Sequence, residues 1–322
     1  MNNKTVVAFG EIMLRLTPSA SILNASEYKA IYGGTESNVL VSLSTFGNKT
    51  RYLTKLPDND LGRGAKMHLK RYGVGCDSII SAGDNMGIYF LEKGYGSRNA
   101  KVIYSRKHSE VTSLTKSDFD FDEIFHNAAL FHISGISFAL SDSVKELCFC
   151  LLEEAKKRNI PISFDFNYRA KLWDTDTAAA VYKKIIPFVD YVFCSIRDLD
   201  VFLNVNLDDF FTVYNNTKYL IVREREIAAQ DKHIIKAKVY TKDKVVASAA
   251  KTAEILERIG GGDAFAAGFI HGILNYGGNI QKTLDFAADC FVMKATLEGD
   301  VLYTSEKEIN ALNIASSKDV TR

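Results

Sequence analysis

After Ser113 the sequence settles into a regular alternation. Residues 130–133 form a short apolar run of strand length, 143–157 carry a helical period, 162–166 read as a strand and 177–186 as a helix. Further strand-like runs follow at 191–194, 218–222 and 239–241. Strands separated by helices are not joined by tight hairpins. The arrangement left to them is a mostly parallel sheet with helices packed on both faces. The fold class expected is therefore α/β, a three-layer sandwich. Ligands in such folds collect beyond the carboxyl ends of the strands.

The first third has a different texture. Residues 6–10 read as a buried strand, Met13, Leu14 and Leu16 continue an extended pattern, and 18–27 are a polar loop. Residues 28–32 alternate as a half-exposed strand that Gly33-Gly34 breaks. Val39, Leu40, Leu43 and Phe46 then share a helical face ending at Gly47, followed by a strand at 51–56 and a helix at 61–72. Residues 87–92 and 101–106 are alternating strands around a Gly-, Ser- and Asn-containing loop at 93–100. Such an interruption of α/β units predicts a small antiparallel lobe covering one end of the larger body.

Composition narrows the function classes. A chain of 322 residues with 47% hydrophobic content can build one large α/β domain with a small accessory one. A formal net charge of +1 gives no reason to expect nucleic acid or a membrane surface as partner. No apolar run approaches the ~20 residues of a membrane span, and the start at Met1 leads into a strand with no room for a signal peptide. Cys76, Cys148, Cys150, Cys194 and Cys290 lack metal-ligand spacing, and the six histidines are scattered, so no metal site is expected. Reduced thiols in a cytoplasmic protein are the simplest reading. The polar residues 316–322 are expected to fray.

The chemistry concentrates at residues 259–268, Ile-Gly-Gly-Gly-Asp-Ala-Phe-Ala-Ala-Gly. Three consecutive glycines let the backbone approach a ligand with its N–H groups turned outward. Phe265, Phe269, Ile270, Ile273 and Leu274 then recur at helical spacing up to Gly277-Gly278. Asp263 falls at the helix N-terminus, where free N–H groups and the helix dipole favour anionic oxygens. A carboxylate there can take a proton from an attacking hydroxyl while the amides neutralise a phosphoryl group. The plainer reading is a tight turn with Asp263 as helix cap. The full pattern resembles the C-terminal signature of the PfkB (ribokinase-like) carbohydrate kinases, which implies Asp263 as general base and Gly260, Gly261 and Gly262 as anion hole.

Other stretches extend the resemblance from Phe9 to about Asp300. Tyr32-Gly33-Gly34-Thr35-Glu36-Ser37-Asn38 resembles the N-terminal PfkB signature, implying sugar contacts from Gly33, Gly34 and Asn38. Leu56-Pro57-Asp58-Asn59-Asp60-Leu61-Gly62 and residues 10–18 are similar to one subfamily, the 2-keto-3-deoxygluconate kinases. So are Gly87-Ile88-Tyr89, Val102-Ile103-Tyr104-Ser105-Arg106 and the segment 164–173 with Asp165, Asn167, Tyr168 and Arg169. By that resemblance Tyr89, Tyr104 and Arg106 reach the substrate from a lid, and Arg169 reaches it from the end of a core strand. Paired arginines suit a sugar carboxylate. Arg169 is equally placed to meet nucleotide phosphates, and a solvated lid charge is the alternative for Arg106. Asp300, in Glu298-Gly299-Asp300, is implied to bind substrate hydroxyls.

On the nucleotide side the resemblance implies Asn167, Ser195, Asp198 and Arg223 as ligands of ATP and, through water, Mg²⁺. Here the chain departs from its relatives. Where they carry a glycine-bearing turn, this chain has Arg223-Glu224-Arg225-Glu226 and no glycine between Val222 and Ile259. Lys232, His233, Lys236 and Lys238 downstream are expected on a solvated face. The implied fold is ribokinase-like, with a core of 1–10, 34–85 and 108–322 and a β lid of 11–33 and 86–107. The implied activity is ATP-dependent phosphorylation of 2-keto-3-deoxygluconate at its terminal hydroxyl. A neutral-sugar kinase of the same family and a non-catalytic sugar-acid-binding homologue are the alternatives. An exposed lid edge makes a homo-oligomer expected.

Overall fold

Five consecutive buried residues, Thr5–Phe9, form the first strand (β1), and their alternation organises both cores. Val6 and Ala8 enter one apolar cluster, Val7 and Phe9 the other. A strand covered on both faces is the mark of a parallel sheet between two helix layers. The computed structural model describes residues 5–312.

The remaining strands are β2 (Met13–Pro18), β3 (Tyr28–Gly33), β4 (Lys49–Leu56), β5 (Ile79–Ser81), β6 (Ile88–Glu92), β7 (Lys101–Ser105), β8 (Ala128–Ser134), β9 (Ile162–Asp165), β10 (Tyr191–Cys194), β11 (Tyr219–Ala229), β12 (Lys232–Tyr240), β13 (Val245–Ala247) and β14 (Lys251–Glu254). The large sheet runs β13-β12-β11-β10-β9-β8-β1-β4-β5, with β14 paired to β12. From β11 through β5 every neighbouring pair is parallel, and β12, β13 and β14 join antiparallel. Helices α1 (Thr35–Thr45), α5 (Gly261–Asn275) and α6 (Ile280–Ala295) pack on one face; α3 (Asp142–Lys157) and α4 (Thr175–Ile185) pack on the other; α2 (Asp60–Arg71) follows β4. The chain leaves β1 toward β4 on one side and returns to β8 on the other. A crevice opens at the carboxyl ends where the order reverses.

A second sheet, β3-β2-β6-β7, stands over that end. Three residues separate β1 from β2, and α1 starts directly after β3, so both connections are anchored at the crevice. The lobe is not wholly antiparallel as its sequence suggests. β2 and β6 pair in parallel, because the chain visits the core between them. Its inner face places Met13, Tyr89 and Leu91 against Ile259, the residue before the glycine turn.

Two regions depart from the sequence reading. The stretch with Arg223 and Arg225 is neither turn nor loop but the middle of β11, which continues to Ala229 in a long hairpin with β12. In β12, His233, Ile235, Ala237 and Val239 are buried in alternation, so only the lysines of the expected solvated face lie toward solvent. Helix α6 and strands β5, β13 and β14 are elements the sequence patterns did not single out. The expected fraying at 316–322 lies outside the described residues.

Helices α5 and α6 meet at Gly268, where a Cβ would lie 2.7 Å from Cys290 Sγ and 2.9 Å from Ala287 Cα. Gly268→Val is expected to cost roughly 2–3 kcal/mol by overpacking, read as a lower urea midpoint with unchanged slope.

Candidate active site

The crevice holds a cavity of about 710 Å³ between the carboxyl edge of the large sheet and the small sheet. Every residue singled out from the sequence lines it except Gly261, which faces inward against the Phe291 ring.

The glycine turn behaves as its composition requires. Gly260 caps α5 with φ +81°, a conformation that penalises any Cβ. A side chain there would also collide with the Asp300 carbonyl oxygen. Gly261, Gly262 and Asp263 are the first three residues of α5, so their N–H groups have no partner inside the helix. Asp263 itself is buried. Its Oδ2 accepts from Asn38 Nδ2 at 2.7 Å, which fixes the carboxylate from the first turns of α1. Burial raises its pKa to about 7, an effect the Asn38 hydrogen bond only partly offsets. A carboxylate tuned to that range is suited to take a proton near neutral pH. If Asp263 takes the proton of the attacking hydroxyl, activity falls as it becomes protonated. kcat/KM is therefore expected to drop about tenfold per pH unit below 7 and to level off above it. A limb in the ordinary carboxylate range would contradict the assignment.

Beside Asp263, the residues nearest the small sheet are held by two buried acids, Glu11 and Asp300, of which the motifs marked only Asp300 as functional. Arg106, which could have been a solvated lid charge, is buried and ion-paired with Glu11. Glu11 also accepts from Ser109 Oγ at 2.6 Å. Asp300 is almost fully buried; Tyr89 donates to its Oδ2 at 2.6 Å, and Arg15 Nη1 lies 2.5 Å from its Oδ1. Asp300 thus ties strands of the small sheet to the segment beside the glycine turn while also lining the cavity. Gly33 passes so close to this carboxylate that a Cβ would strike it. The Tyr104 ring lies beneath the Arg106 guanidinium at 5.6 Å.

On the other side, Asn167 adopts φ +39° and its Nδ2 donates to Thr35 Oγ1 at 3.0 Å. Among the described residues, Arg169 donates only to the carbonyls of Asn167 and Tyr168. Ser195 and Asp198 form a capping box: the Ser195 N–H and Oγ both donate to Asp198 Oδ2, at 2.7 and 2.8 Å. Arg223 extends from β11 to donate to the Gly262 carbonyl at 3.3 Å, with its guanidinium over the Phe265 ring. Asp165, at the end of β9, was quoted only as part of a motif, yet it lines the cavity, and burial raises its pKa. Among the described residues, no carboxylate lies within ion-pair distance of Arg169, Arg197, Arg223 or Arg258. These four guanidinium groups line the cavity without being tied up in ion pairs, although Asp165 and Asp263 feel the charge of Arg169, and they are available to anionic ligands.

Comparison with known proteins agrees with this geometry. The family model for pfkB family carbohydrate kinases matches residues 3–301. A 2-dehydro-3-deoxygalactonokinase of Haloferax volcanii is 31% identical over 323 aligned positions, covering 94% of this chain and 95% of that protein. The crystal structure of 2-dehydro-3-deoxygluconokinase from Thermotoga maritima superposes with a TM-score of 0.91 at 33% identity, covering 97% of this chain and 98% of that one. An E. coli structure described as a ribokinase II, in complex with ATP and Mg²⁺, shares the fold with a TM-score of 0.84 at 18% identity, over 97% and 99% of the two chains.

Proposed function

The chain belongs to the pfkB family of carbohydrate kinases, and from that premise we propose that it transfers the terminal phosphoryl group of ATP to the terminal hydroxyl of 2-keto-3-deoxygluconate (2-dehydro-3-deoxygluconate). One observation carries the reading. A buried carboxylate at a glycine turn shares a single cavity with Arg169 and Arg223, which make no ion pair among the described residues, and with Arg106, which is paired to Glu11.

Those residues fit a nucleoside triphosphate and a sugar acid together. The free N–H groups after Gly260 and the Arg223 guanidinium suit phosphate oxygens. When bound, Mg-ATP would supply the phosphoryl group and a divalent charge to offset that of its phosphates. Asp198 would reach that cation through water, since its Oδ2 is engaged by Ser195. Among the described residues no three histidine, cysteine or acidic side chains converge as a metal cage. Asn167 and Ser195 stand on the phosphate side. Asp263 accepts the proton of the attacking hydroxyl, and the amides of the glycine turn stabilise the charge that moves onto the phosphoryl oxygens.

Gly33, Gly34 and Asn38 form the floor on which the sugar hydroxyls rest. Tyr104, Arg106 and Arg169 face the carboxylate, with the Tyr89–Asp300 pair beside them. The small sheet acts as a lid that excludes water, and its β7 edge is where two copies would pair. Arg169→Ala is expected to raise KM for the sugar acid about tenfold or more, as loss of a charge-assisted contact predicts, with KM for ATP unchanged. The reverse pattern would assign Arg169 to the nucleotide phosphates.

The proposal is tested by coupled ADP release against 2-keto-3-deoxygluconate, its galactonate epimer, fructose and ribose. Turnover confined to the two acids supports it. Turnover on fructose or ribose keeps the kinase and removes the acid cradle. No Mg-ATP binding in calorimetry would leave a sugar-acid-binding homologue.

A further inference from the structure

One buried charge has no part in that scheme. Lys294, in the last turn of α6, is fully buried. Its ammonium donates to the Leu297 carbonyl at 3.0 Å. Its side chain runs directly behind the anion turn, for a Cβ on Gly260 would lie 3.2 Å from Lys294 Cε. Glu257 and Asp300, both buried, attract the ammonium, Arg15 repels it and Asp263 attracts it more weakly, while among the described residues no carboxylate comes within ion-pair distance of it. Arg15 joins the two acids, 2.5 Å from Asp300 and 3.4 Å from Glu257, while Lys93 reaches Glu257 from the rim at 3.2 Å. The last carbonyl of α6, that of Ala295, accepts from the N–H groups of Leu256 and Glu257 at 2.8 and 3.1 Å. Thus α6 grips both the segment entering the glycine turn and the one carrying Asp300.

Two buried acids and two buried bases balance here, yet Arg15 alone already bridges both carboxylates. A second buried cation is costly to desolvate, and burial does push the Lys294 ammonium down to about 8. Structural pairing alone therefore leaves this lysine unexplained. Its position behind a turn that must receive phosphoryl charge accounts for it.

We propose that Lys294 is a positioning residue: an internal cation that clamps the 257–260 and 297–300 segments and sets the anion turn from behind. It touches neither substrate. It acts through the N–H groups of the turn, whose aim and local potential it fixes. The inference rests on the phosphoryl-transfer reading of the same turn.

The test is Lys294→Met, a side chain of similar length without charge, assayed beside the wild type. kcat is expected to fall at least a hundredfold with KM for the sugar acid changed less than threefold. Ammonium or potassium is expected to restore at least tenfold of that loss by entering the space vacated beside the Leu297 carbonyl, and tetramethylammonium is expected to restore none. If the single variant fails to fold, Lys294→Met combined with Glu257→Gln removes one charge of each sign and is expected to fold with the same loss. Affinity for the non-hydrolysable analogue AMPPNP, by calorimetry, gives a readout independent of the sugar. It should weaken about tenfold and recover with ammonium. Should the wild type turn over none of the sugars, the substrate reading fails alone, and the AMPPNP response still decides Lys294. A folded variant within threefold of wild type in turnover or AMPPNP affinity overturns the inference. So does a loss that no small cation relieves, which would make Lys294 a structural residue only.

Discussion

Asp263→Asn is expected to lower kcat by about 10³–10⁴-fold, at the upper end of what a positioned general base contributes, while KM for the sugar changes little. The substitution keeps the shape of the side chain, and its amide can still bond Asn38 Nδ2, so α1 and α5 remain in register. What it removes is the carboxylate that, in the proposed mechanism, takes the hydroxyl proton. Stability provides an independent check. Burial raises the folded-state pKa of Asp263 from its usual 3.8 to about 7. The ionised carboxylate therefore costs folding free energy above pH 7, a cost that fades as pH falls through 7 and is absent below the unfolded value. Asp263→Asn should thus be at least as thermostable as the wild type above pH 7, with the advantage shrinking in acid. A variant that is inactive because it is unfolded would show the opposite.

Gly260→Ala is expected to be the most damaging single methyl in the chain. The residue sits at φ +81°, which disfavours a side chain, and the new Cβ would overlap the Asp300 carbonyl. That carbonyl cannot retreat freely, because the Asp300 side chain is held by Arg15 and Tyr89. Either the turn or the 297–300 segment must shift. We expect a stability loss of roughly 2–4 kcal/mol and a fall in kcat of about 10²-fold or more, the usual consequence of displacing reacting groups by an ångström. Gly277→Ala is the control. Gly277 also has positive φ, at +58°, but nothing lies within 4 Å of its added Cβ. It should cost about 1 kcal/mol and leave turnover unchanged. Equal effects of the two variants would reduce the Gly260 argument to backbone strain alone.

How far the sequence revealed this molecule depended on whether the relevant physics was local. The parallel sheet was readable because β8 to β11 alternate with helices, and β1 is apolar on both faces. Asp263 and its turn were readable because three glycines and a helical period adjoin in the chain. Helix α6 escaped notice because polar Asp289 and Lys294 lie on its buried side and interrupt the apolar period. The hairpin of β11 and β12 was hidden by Arg-Glu-Arg-Glu, whose charges alternate as in a solvated loop yet project from a strand that has outrun the core. Arg15 sits in a strand pattern as an apparent exception, and its partners Glu257 and Asp300 lie more than two hundred positions away. Arg106 and Glu11 were each quoted in motifs, but nothing short of the fold brings them together. Pairings of that kind belong to topology.

The most direct test of the central claim is phosphorus NMR of the product formed from 2-keto-3-deoxygluconate and Mg-ATP. The account predicts one new phosphomonoester whose phosphorus couples to a methylene pair, together with one ADP per ester. That signal would place the phosphoryl group on the terminal hydroxyl, the group that the proposed mechanism has Asp263 deprotonate. A phosphorus coupled to a single methine proton, or ADP appearing without any ester, would contradict it.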